Sequence, residues 1–346
     1  MRIVITTDAW RPQVNGVVTT LSRVGAALEA DGHEVMFVTP EGFATVGLPT
    51  YPEIRLSLLP GRRVARRLDA FAPDAIHIAT EGPLGMAARR YCRRRGLPFT
   101  TAYHTQFPRY VRLRAPIPPR LTYAWLRRFH APAARTMVPT PAMARELAGH
   151  GFDHVVVWSR GVDTDVFRPW GKDGLDLPRP VSLFVGRVAV EKNLEAFLDL
   201  DAAGTKVVVG DGPDRERLSR RYPEVVFTGY RFGEELARTV AAADVFVFPS
   251  RTDTFGLTML EAMACGVPVA AYPVTGPRDV VIDGVTGCLD DSLGRAVRRA
   301  LTLDPAACIA HARSRTWRAC AREFVGYLAP IPRSARREAA ASGAGE

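Results

Sequence analysis

Residues 181–193 read VSLFVGRVAVEKN, an apolar run that ends at a glycine and leads to Arg187 and Lys192. A short β-branched run indicates a buried strand, and the glycine marks the turn that follows it. The chain carries 46 Lys and Arg residues, of which only three are lysines. A lysine at position 192 therefore indicates a need for a compact point charge in place of a planar guanidinium. Because only a turn separates the two cations, both can converge on one pyrophosphate.

Short apolar runs alternate with amphipathic helical stretches along almost the whole chain. The predicted strands lie at residues 3–5, 34–38, 75–78, 99–103, 136–138 and 155–157, and again at 181–185, 206–209, 225–227, 245–248 and 267–271. Strands that alternate with helices predict parallel sheets buried on both faces, in an α/β protein. A Pro/Gly-rich stretch at 167–180 separates the two series, which predicts two Rossmann-like domains joined by a hinge, with ligands bound in the cleft between them.

The expected domain boundaries follow from this division. The first domain spans residues 1–168 and the second spans 169–314. An aromatic amphipathic helix at 315–330 is expected to cross back to the first domain, and the Ala-, Arg-, Ser- and Gly-rich tail at 331–346 is expected to be disordered.

Charge is divided unevenly between the two halves. Residues 1–168 hold 23 Arg against 13 acids, and residues 169–346 hold 23 basic residues against 23 acids, so the whole net charge of +10 belongs to the first half. A basic half implies a polyanionic neighbour, either nucleic acid or an anionic membrane, unless it is a solvated arginine-rich surface. Within residues 110–130, five arginines are interleaved with Tyr110, Tyr123, Trp125 and Phe129. This pattern favours an interfacial helix on anionic lipid, with plain packing of the aromatic residues as the alternative.

The five cysteines are dispersed and form no C-x-x-C pair, which argues for reduced thiols and against a zinc site or a disulfide framework. The first residues form a strand pattern without a signal-peptide h-region, and no apolar run approaches the length of a membrane span. We therefore expect a cytoplasmic protein that can reach the inner face of the plasma membrane.

Two acids frame the segment TDTFGLTMLEA at residues 252–262. If the segment is helical, the eight residues from Asp253 to Glu261 rise about 12 Å and turn about 800°, which places both acids on nearly the same face. The two carboxylates of a glycosidase are about 5–9.5 Å apart, so Asp253 and Glu261 are too far from each other for that role. Their separation suits contacts with the two ends of one long ligand. Phe255 and Gly256 lie at the strand-to-helix junction, where a glycine lets backbone amides approach a phosphate.

Further motifs occur at the ends of other strands. Gly210 ends a strand in a Gly-x-Gly turn, and His104 follows a strand of the first half. No G-x-G-x-x-G follows the first strand, which counts against NAD or FAD. The Asp-x-Asp motif at residues 163–165 is a pattern found in metal-dependent sugar transferases. It lies in the segment that leads from the first predicted domain to the second and not in a donor sheet, so we do not expect it to bind a metal.

The order Asn15-Gly16-Val17, His104, Arg187…Lys192, Gly210-Asp211-Gly212-Pro213 and Asp253-x7-Glu261 resembles the family 4 retaining glycosyltransferases of the GT-B fold, over roughly residues 1–328. Finer features, Tyr103-His104-Thr105 and SRGVD at 159–163, are similar to bacterial GDP-mannose-dependent α-mannosyltransferases and to diacylglycerol sulfoquinovosyl- and glucosyltransferases.

This resemblance implies two doubly wound domains that face each other across a cleft, an acceptor domain followed by a donor domain. It also implies a role for each matching residue. Gly16 would close against the diphosphate and sugar, and His104 would contact the sugar near the reaction centre. Asp253 would hold sugar hydroxyls, although the family usually has Glu there. The remaining implied donor-binding residues are Arg187 and Lys192 on the diphosphate, Glu261 on the ribose, and Gly210, Phe255, Gly256 and Leu257 beside them.

The sequence and this resemblance together predict a retaining glycosyltransferase that moves a hexose, of mannose or glucose type, from a nucleotide diphosphate sugar to a hydroxyl of a lipid or lipid-linked glycan. No cofactor and no metal is expected, because Arg187 and Lys192 supply the charge that a divalent ion would place on the leaving group. Peripheral contact with an anionic membrane is expected, and nucleic acid is not an expected partner. The alternatives are a nucleotide-sugar epimerase or hydrolase and a basic nucleic-acid-binding protein.

Overall fold

The computed structural model describes residues 1–48, 51–114, 117–332 and 334. The chain divides into two compact units. The first comprises Met1–Ser159 together with the residues from Arg318 onward, and the second comprises Arg160–Trp317. The N-terminal segment of the first unit therefore ends at Ser159, before the predicted boundary at 168. The predicted disordered tail lies outside the described residues, apart from 331, 332 and 334.

The first unit is built on a parallel sheet with the strand order β2-β1-β5-β6-β7-β8 and also contains an antiparallel hairpin, β3-β4. Its strands are β1 (Arg2–Thr6), β2 (Glu34–Val38), β3 (Thr45–Leu48), β4 (Tyr51–Ser57), β5 (Ala75–Ile78), β6 (Thr100–Ala102), β7 (Arg135–Val138) and β8 (Val155–Val157). The helices that follow these strands are α1 (Gly16–Ala30), α2 (Gly61–Phe71), α3 (Pro83–Arg94), α4 (Phe107–Arg114), α5 (Pro119–His130) and α6 (Pro141–Gly149). The sequence patterns did not predict the hairpin.

The second unit repeats the plan, with the strand order β11-β10-β9-β12-β13-β14. Its strands are β9 (Val181–Val185), β10 (Thr205–Val209), β11 (Val226–Gly229), β12 (Val245–Phe248), β13 (Val269–Ala271) and β14 (Gly287–Leu289). Its helices are α7 (Glu195–Leu198), α8 (Arg215–Arg221), α9 (Gly233–Ala242), α10 (Leu257–Ala264), α11 (Pro277–Val280), α12 (Leu293–Ala300) and α13 (Pro305–Arg313). The predicted doubly wound α/β folds are confirmed.

The central strand β9 shows why this sheet is buried on both faces. All five of its residues are buried, and successive side chains point to opposite sides. Leu183 packs in one apolar cluster with Met259 of α10, whereas Phe184 packs in the other cluster with Phe197 of α7. A continuous apolar run is therefore what this strand requires.

Each sheet has one point where the strand order reverses. In the first sheet β1 has β2 on one side and β5 on the other, and in the second sheet β9 lies between β10 and β12. In doubly wound sheets, ligands bind at the carboxyl ends of the strands beside such a switch point. The fold therefore singles out the loops after β1 and β5, and those after β9 and β12.

Residues 167–180, the stretch predicted to be a hinge, belong to the second unit and pack onto it, and their role as a hinge stays a prediction. The Trp170 ring lies between the guanidinium groups of Arg168 and Arg238, at 3.8 and 4.0 Å from the ring centroid. The Lys172 ammonium donates hydrogen bonds to the carbonyl oxygens of Ala241 and Ala243, at the end of α9. Trp170 and Lys172 thus attach this stretch to the second unit.

A final helix, α14 (Trp317–Tyr327), continues into the first unit and packs there. The Trp158 indole donates to the Cys320 carbonyl at 3.0 Å, and a Glu323 oxygen accepts from the Ser159 amide at 3.0 Å. In addition, Arg318 pairs with Asp31 at 2.8 Å. Among the described residues, no helix is both long enough and apolar enough to cross a membrane.

Gly210 provides a test of backbone packing in the second unit. Its φ is +139°, and a Cβ there would lie 1.9 Å from the Gly186 carbonyl oxygen. We expect Gly210→Ala to lower the free energy of unfolding by about 1–3 kcal/mol or more, because backbone must move to make room. Gly326→Ala is the control, since nothing lies within 4 Å of that position in α14. Urea unfolding followed by tryptophan fluorescence measures both, and an unchanged midpoint for Gly210→Ala would contradict the close approach.

Candidate active site

The loops after β9 and β12 are joined to each other by side-chain hydrogen bonds. The loop after β9 includes a 3-10 turn, Val190–Lys192, and ends at Asn193, whose φ of 55° is left-handed. The Asn193 side-chain amide donates through its Nδ2 to the Pro249 carbonyl at 3.0 Å, and the Thr252 hydroxyl donates to the Glu191 carbonyl at 3.1 Å. Because β9 and β12 are neighbours in the sheet, these bonds hold two distant segments in a fixed relation at the switch point.

Between these loops, Lys192 and Asp253 form an ion pair. The Lys192 Nζ lies 2.6 Å from the Asp253 Oδ1, and the two side chains are 20% and 16% exposed. The second oxygen of Asp253, Oδ2, is buried and accepts no hydrogen bond from the described residues. The site thus combines a positive group with a carboxylate that retains one acceptor atom, and a sugar hydroxyl could donate to that atom.

The helical spacing proposed for Asp253 and Glu261 is wrong, because Asp253 lies in the loop before the helix. Helix α10 begins at Leu257, and its N-cap, Gly256, has a φ of +87°. This left-handed residue ends the loop and starts the helix, so only Glu261 lies on α10. The two acids still lie on either side of the helix N-terminus.

The N-terminus of α10 has no side-chain cap among the described residues. The residue at the cap position, Gly256, has no Cβ to cover the amides. Phe255, the residue before the cap, is buried. Helix N-termini attract phosphate through their free N–H groups and the helix dipole. The predicted donor-binding roles of Phe255, Gly256 and Leu257 therefore rest on their amides, and they remain predictions.

The other predicted donor residues of this unit are placed at the same carboxyl edge. Arg187 is half-buried in the loop after β9, and Glu261 is half-buried in the second turn of α10. Gly210 directly follows β10, and its amide donates to the Gly229 carbonyl at 2.8 Å. Close backbone packing alone is enough to require glycine at Gly210, so a role in binding the donor stays a prediction.

Only one of the three lysines belongs to this site. Lys172 caps α9, and the Lys206 ammonium donates to the carbonyl oxygens of Leu198 and Leu200, at the end of α7. An ammonium at a helix C-terminus neutralises the negative end of the dipole and satisfies carbonyls that have no partner. Scarcity of lysine therefore marked positions where a point charge is needed, but two of them are structural.

The two predicted residues of the first unit lie on loops at the carboxyl edge of its own sheet. His104 follows β6, and its ring is 6.1 Å from the Trp158 ring in an edge-to-face contact. Gly16 is the exposed first residue of α1. Asn15 caps that helix, since its Oδ1 accepts from the Val17 and Val18 amides at 3.0 Å each.

Sequence reasoning missed Asp8, which organises the switch point of the first sheet. Its Oδ1 accepts from the Leu84 amide at 2.9 Å and its Oδ2 accepts from the Thr80 hydroxyl at 2.8 Å. Burial raises the pKa of this carboxyl, while the hydrogen bonds act in the opposite direction. A Cβ at Gly82 would lie 2.4 Å from the Asp8 Cγ, so Asp8 fills the place of an N-cap for α3. An acid directly after the first buried strand was the available signal.

Comparison with known proteins covers both units. A family model described as Glycosyltransferase Family 4 matches residues 14–166, and one described as Glycosyl transferases group 1 matches residues 179–302. A GDP-mannose-dependent alpha-mannosyltransferase of Mycobacterium tuberculosis is 34% identical over 96% of this chain and 94% of its own length. An alpha-monoglucosyldiacylglycerol synthase of Streptococcus pneumoniae is 28% identical over 88% of this chain and 79% of its own length.

Among solved structures, a sucrose-phosphate synthase from Thermosynechococcus elongatus superimposes with a TM-score of 0.74 and 22% identity, over 94% of this chain and 97% of that one. This likeness and the two sheets confirm the predicted GT-B fold. The family matches confirm the resemblance inferred from the motifs. They do not favour the epimerase, hydrolase or nucleic-acid-binding alternatives.

The lysines allow a matched test of the site. We expect Lys192→Met to lower transfer by about 10²-fold or more, because a charged stabiliser of the leaving group is lost, and to leave folding intact. Lys172→Met should do the reverse: it should lower the free energy of unfolding by about 1–3 kcal/mol and keep most of the turnover. Initial rates of donor consumption and urea unfolding of both variants measure these effects. Near-normal turnover of Lys192→Met would remove Lys192 from the site.

Proposed function

This chain belongs to glycosyltransferase family 4 and is a hexosyltransferase of the GT-B fold, and from this premise we propose that it transfers mannose from GDP-mannose to a hydroxyl of a membrane glycolipid. The acceptor is a lipid or a lipid-linked glycan. Transfer proceeds with retention of configuration and without a metal ion. The protein acts at the cytoplasmic face of the membrane, with which it makes peripheral contact.

The observation that carries this proposal is the Lys192–Asp253 pair at the switch point of the second sheet, 2.6 Å apart. A nucleotide diphosphate sugar has an anionic half and a polyhydroxylated half, and the pair offers one partner to each. Lys192 and Arg187 stabilise the diphosphate, and the buried Oδ2 of Asp253 accepts from a sugar hydroxyl. The N-terminus of α10, which has no side-chain cap, adds backbone N–H donors for the phosphate.

In the transfer, the bond between the anomeric carbon and the phosphate oxygen breaks, and a bond from that carbon to the acceptor oxygen forms. The acceptor hydroxyl loses its proton to the departing phosphate oxygen on the same face, which gives retention. Charge grows on the diphosphate as its bond to the sugar breaks, so cations held close to it lower the barrier. Arg187 and Lys192 supply that charge, and His104 contacts the sugar.

The choice of donor rests on the relatives named for GDP-mannose and on an aromatic surface beside the site. In the loop after β11, the rings of Tyr230 and Phe232 stack with centroids 5.7 Å apart, and both rings are exposed. The Tyr230 hydroxyl donates to the Asp211 carbonyl at 3.2 Å, in the loop after β10. A purine base has a large face for stacking on such a ring.

The membrane surface is narrower than the sequence indicated. Of the aromatic residues of α5, Tyr123 and Phe129 are buried, which corrects their assignment to the lipid boundary. Trp125 is 43% exposed, and Leu121, one turn before it, is 58% exposed. With Phe107, whose ring lies 6.0 Å from that of Trp125, they form an apolar patch among arginines. An apolar patch framed by cations suits an anionic bilayer.

The function is tested by incubating the protein with GDP-mannose and bacterial glycolipids in excess EDTA. We expect a mannolipid whose new linkage has the anomeric configuration of the donor, formed at the same rate with and without chelator. NMR coupling constants of the product identify the anomer, and UDP-glucose serves as the competing donor. Inverted product, or activity that EDTA abolishes and manganese restores, would overturn the retaining, metal-independent mechanism.

The membrane contact is tested by replacing Leu121 and Trp125 with Ser in one variant. Loss of two apolar side chains from the bilayer boundary should weaken binding to anionic liposomes by about tenfold or more. The control replaces Ile282 and Val285 with Ser, an apolar pair of the second unit that is 47% and 44% exposed. Sedimentation with phosphatidylglycerol vesicles measures binding. A wild-type protein that ignores these vesicles at moderate salt would refute the contact.

A further inference from the structure

A buried histidine holds a carboxylate at the carboxyl edge of the first sheet. His130, the last residue of α5, is buried, and its Nε2 lies 3.2 Å from the Oε1 of Glu81. Its Nδ1 lies 2.9 Å from the Thr101 hydroxyl, and the Thr101 and Thr136 hydroxyls are 3.1 Å apart. These contacts form a continuous polar chain from β7 through β6 and α5 to the loop after β5.

The hydrogen bonds of this polar network have a defined donor-to-acceptor direction. A carboxylate only accepts hydrogen bonds, so the Nε2 of His130 carries the hydrogen and donates it to Glu81. The two threonine hydroxyls can satisfy Nδ1 in turn, which leaves every polar group of the chain with a partner. A satisfied buried network of this kind rigidifies its members. Its outer end, the Glu81 side chain, is 23% exposed, so the residue that the network holds is accessible from solvent.

Glu81 lies where this sheet is expected to bind a ligand. It directly follows Thr80, which joins the loops after β1 and β5 through its bond to Asp8 at the switch point. β6 pairs with β5, so the loop that carries His104 is adjacent. Tyr103, the residue before His104, is affected by this charge: burial first, and then the charges of Tyr123 and Glu81, raise the pKa of its hydroxyl.

We propose that Glu81 binds the acceptor: its carboxylate accepts a hydrogen bond from a hydroxyl of the acceptor, and His130 is a positioning residue that fixes the carboxylate from behind. This inference rests on the proposed function and assigns the acceptor side of the same reaction. A fixed negative charge repels an anionic group on the acceptor, so the acceptor group at this position is a neutral polyol, such as a glycerol or sugar hydroxyl, and not a phosphate monoester.

The test is the kinetics of Glu81→Gln, which keeps the shape and removes the charge. A hydrogen bond to a charged group contributes about 1.5–3 kcal/mol, so kcat/KM for the glycolipid acceptor should fall by about 10- to 150-fold. GDP affinity by calorimetry and slow hydrolysis of the sugar nucleotide without acceptor should be unchanged. Glu34→Gln is the matched control, because Glu34 is an ion-paired glutamate at the amino end of β2 in the same sheet.

The role of His130 is tested by coupling. His130→Gln should raise the acceptor KM, and adding it to Glu81→Gln should cost little more, because both changes remove one interaction. Additive losses would show that His130 acts only on folding, which thermal unfolding of each variant checks. If Glu81→Gln transfers normally while the wild type is active, the inference fails and the proposed function stands. If the wild type transfers no sugar from any nucleotide donor, both fail.

Discussion

The ion pair between Lys192 and Asp253 depends on one constraint, the convergence of parallel strands at a switch point. The two residues are 61 positions apart in the chain, yet β9 and β12 lie side by side and deliver their following loops to the same edge. Asn193 and Thr252 then tie those loops together through backbone carbonyls. A carboxylate and an ammonium can face each other at 2.6 Å only because the sheet has already fixed the backbone on both sides.

The first unit uses the same architecture with different chemistry. At its switch point an acid, Asp8, replaces the helix cap and joins the loops after β1 and β5. Glu81 follows on the same loop, held by a buried imidazole. The edge of the second unit thus carries a paired ammonium and carboxylate, and the edge of the first unit carries carboxylates held by hydrogen bonds.

The three lysines illustrate how one residue type serves two purposes. Lys172 and Lys206 insert a compact charge between carbonyl oxygens at helix ends, where a broad guanidinium would reach fewer of them. Lys192 uses the same compactness to approach a carboxylate in a half-buried site. Arginines instead lie over aromatic rings, as Arg168 and Arg238 do on Trp170. The scarcity of lysine was a signal of constrained positions and not by itself a signal of function.

The sequence by itself determined the two doubly wound folds, because a five-residue apolar run such as that of β9 has few places other than the centre of a parallel sheet. It also located the motifs that match family 4, since these depend on residue types at fixed spacing. Tertiary structure decided what spacing cannot: that Asp253 lies before the helix because Gly256 is left-handed, that Tyr123 and Phe129 are buried, and that residues 167–180 are packed. It alone brought His130 to Glu81, because the two are 49 residues apart and their pairing depends on where α5 ends against the sheet.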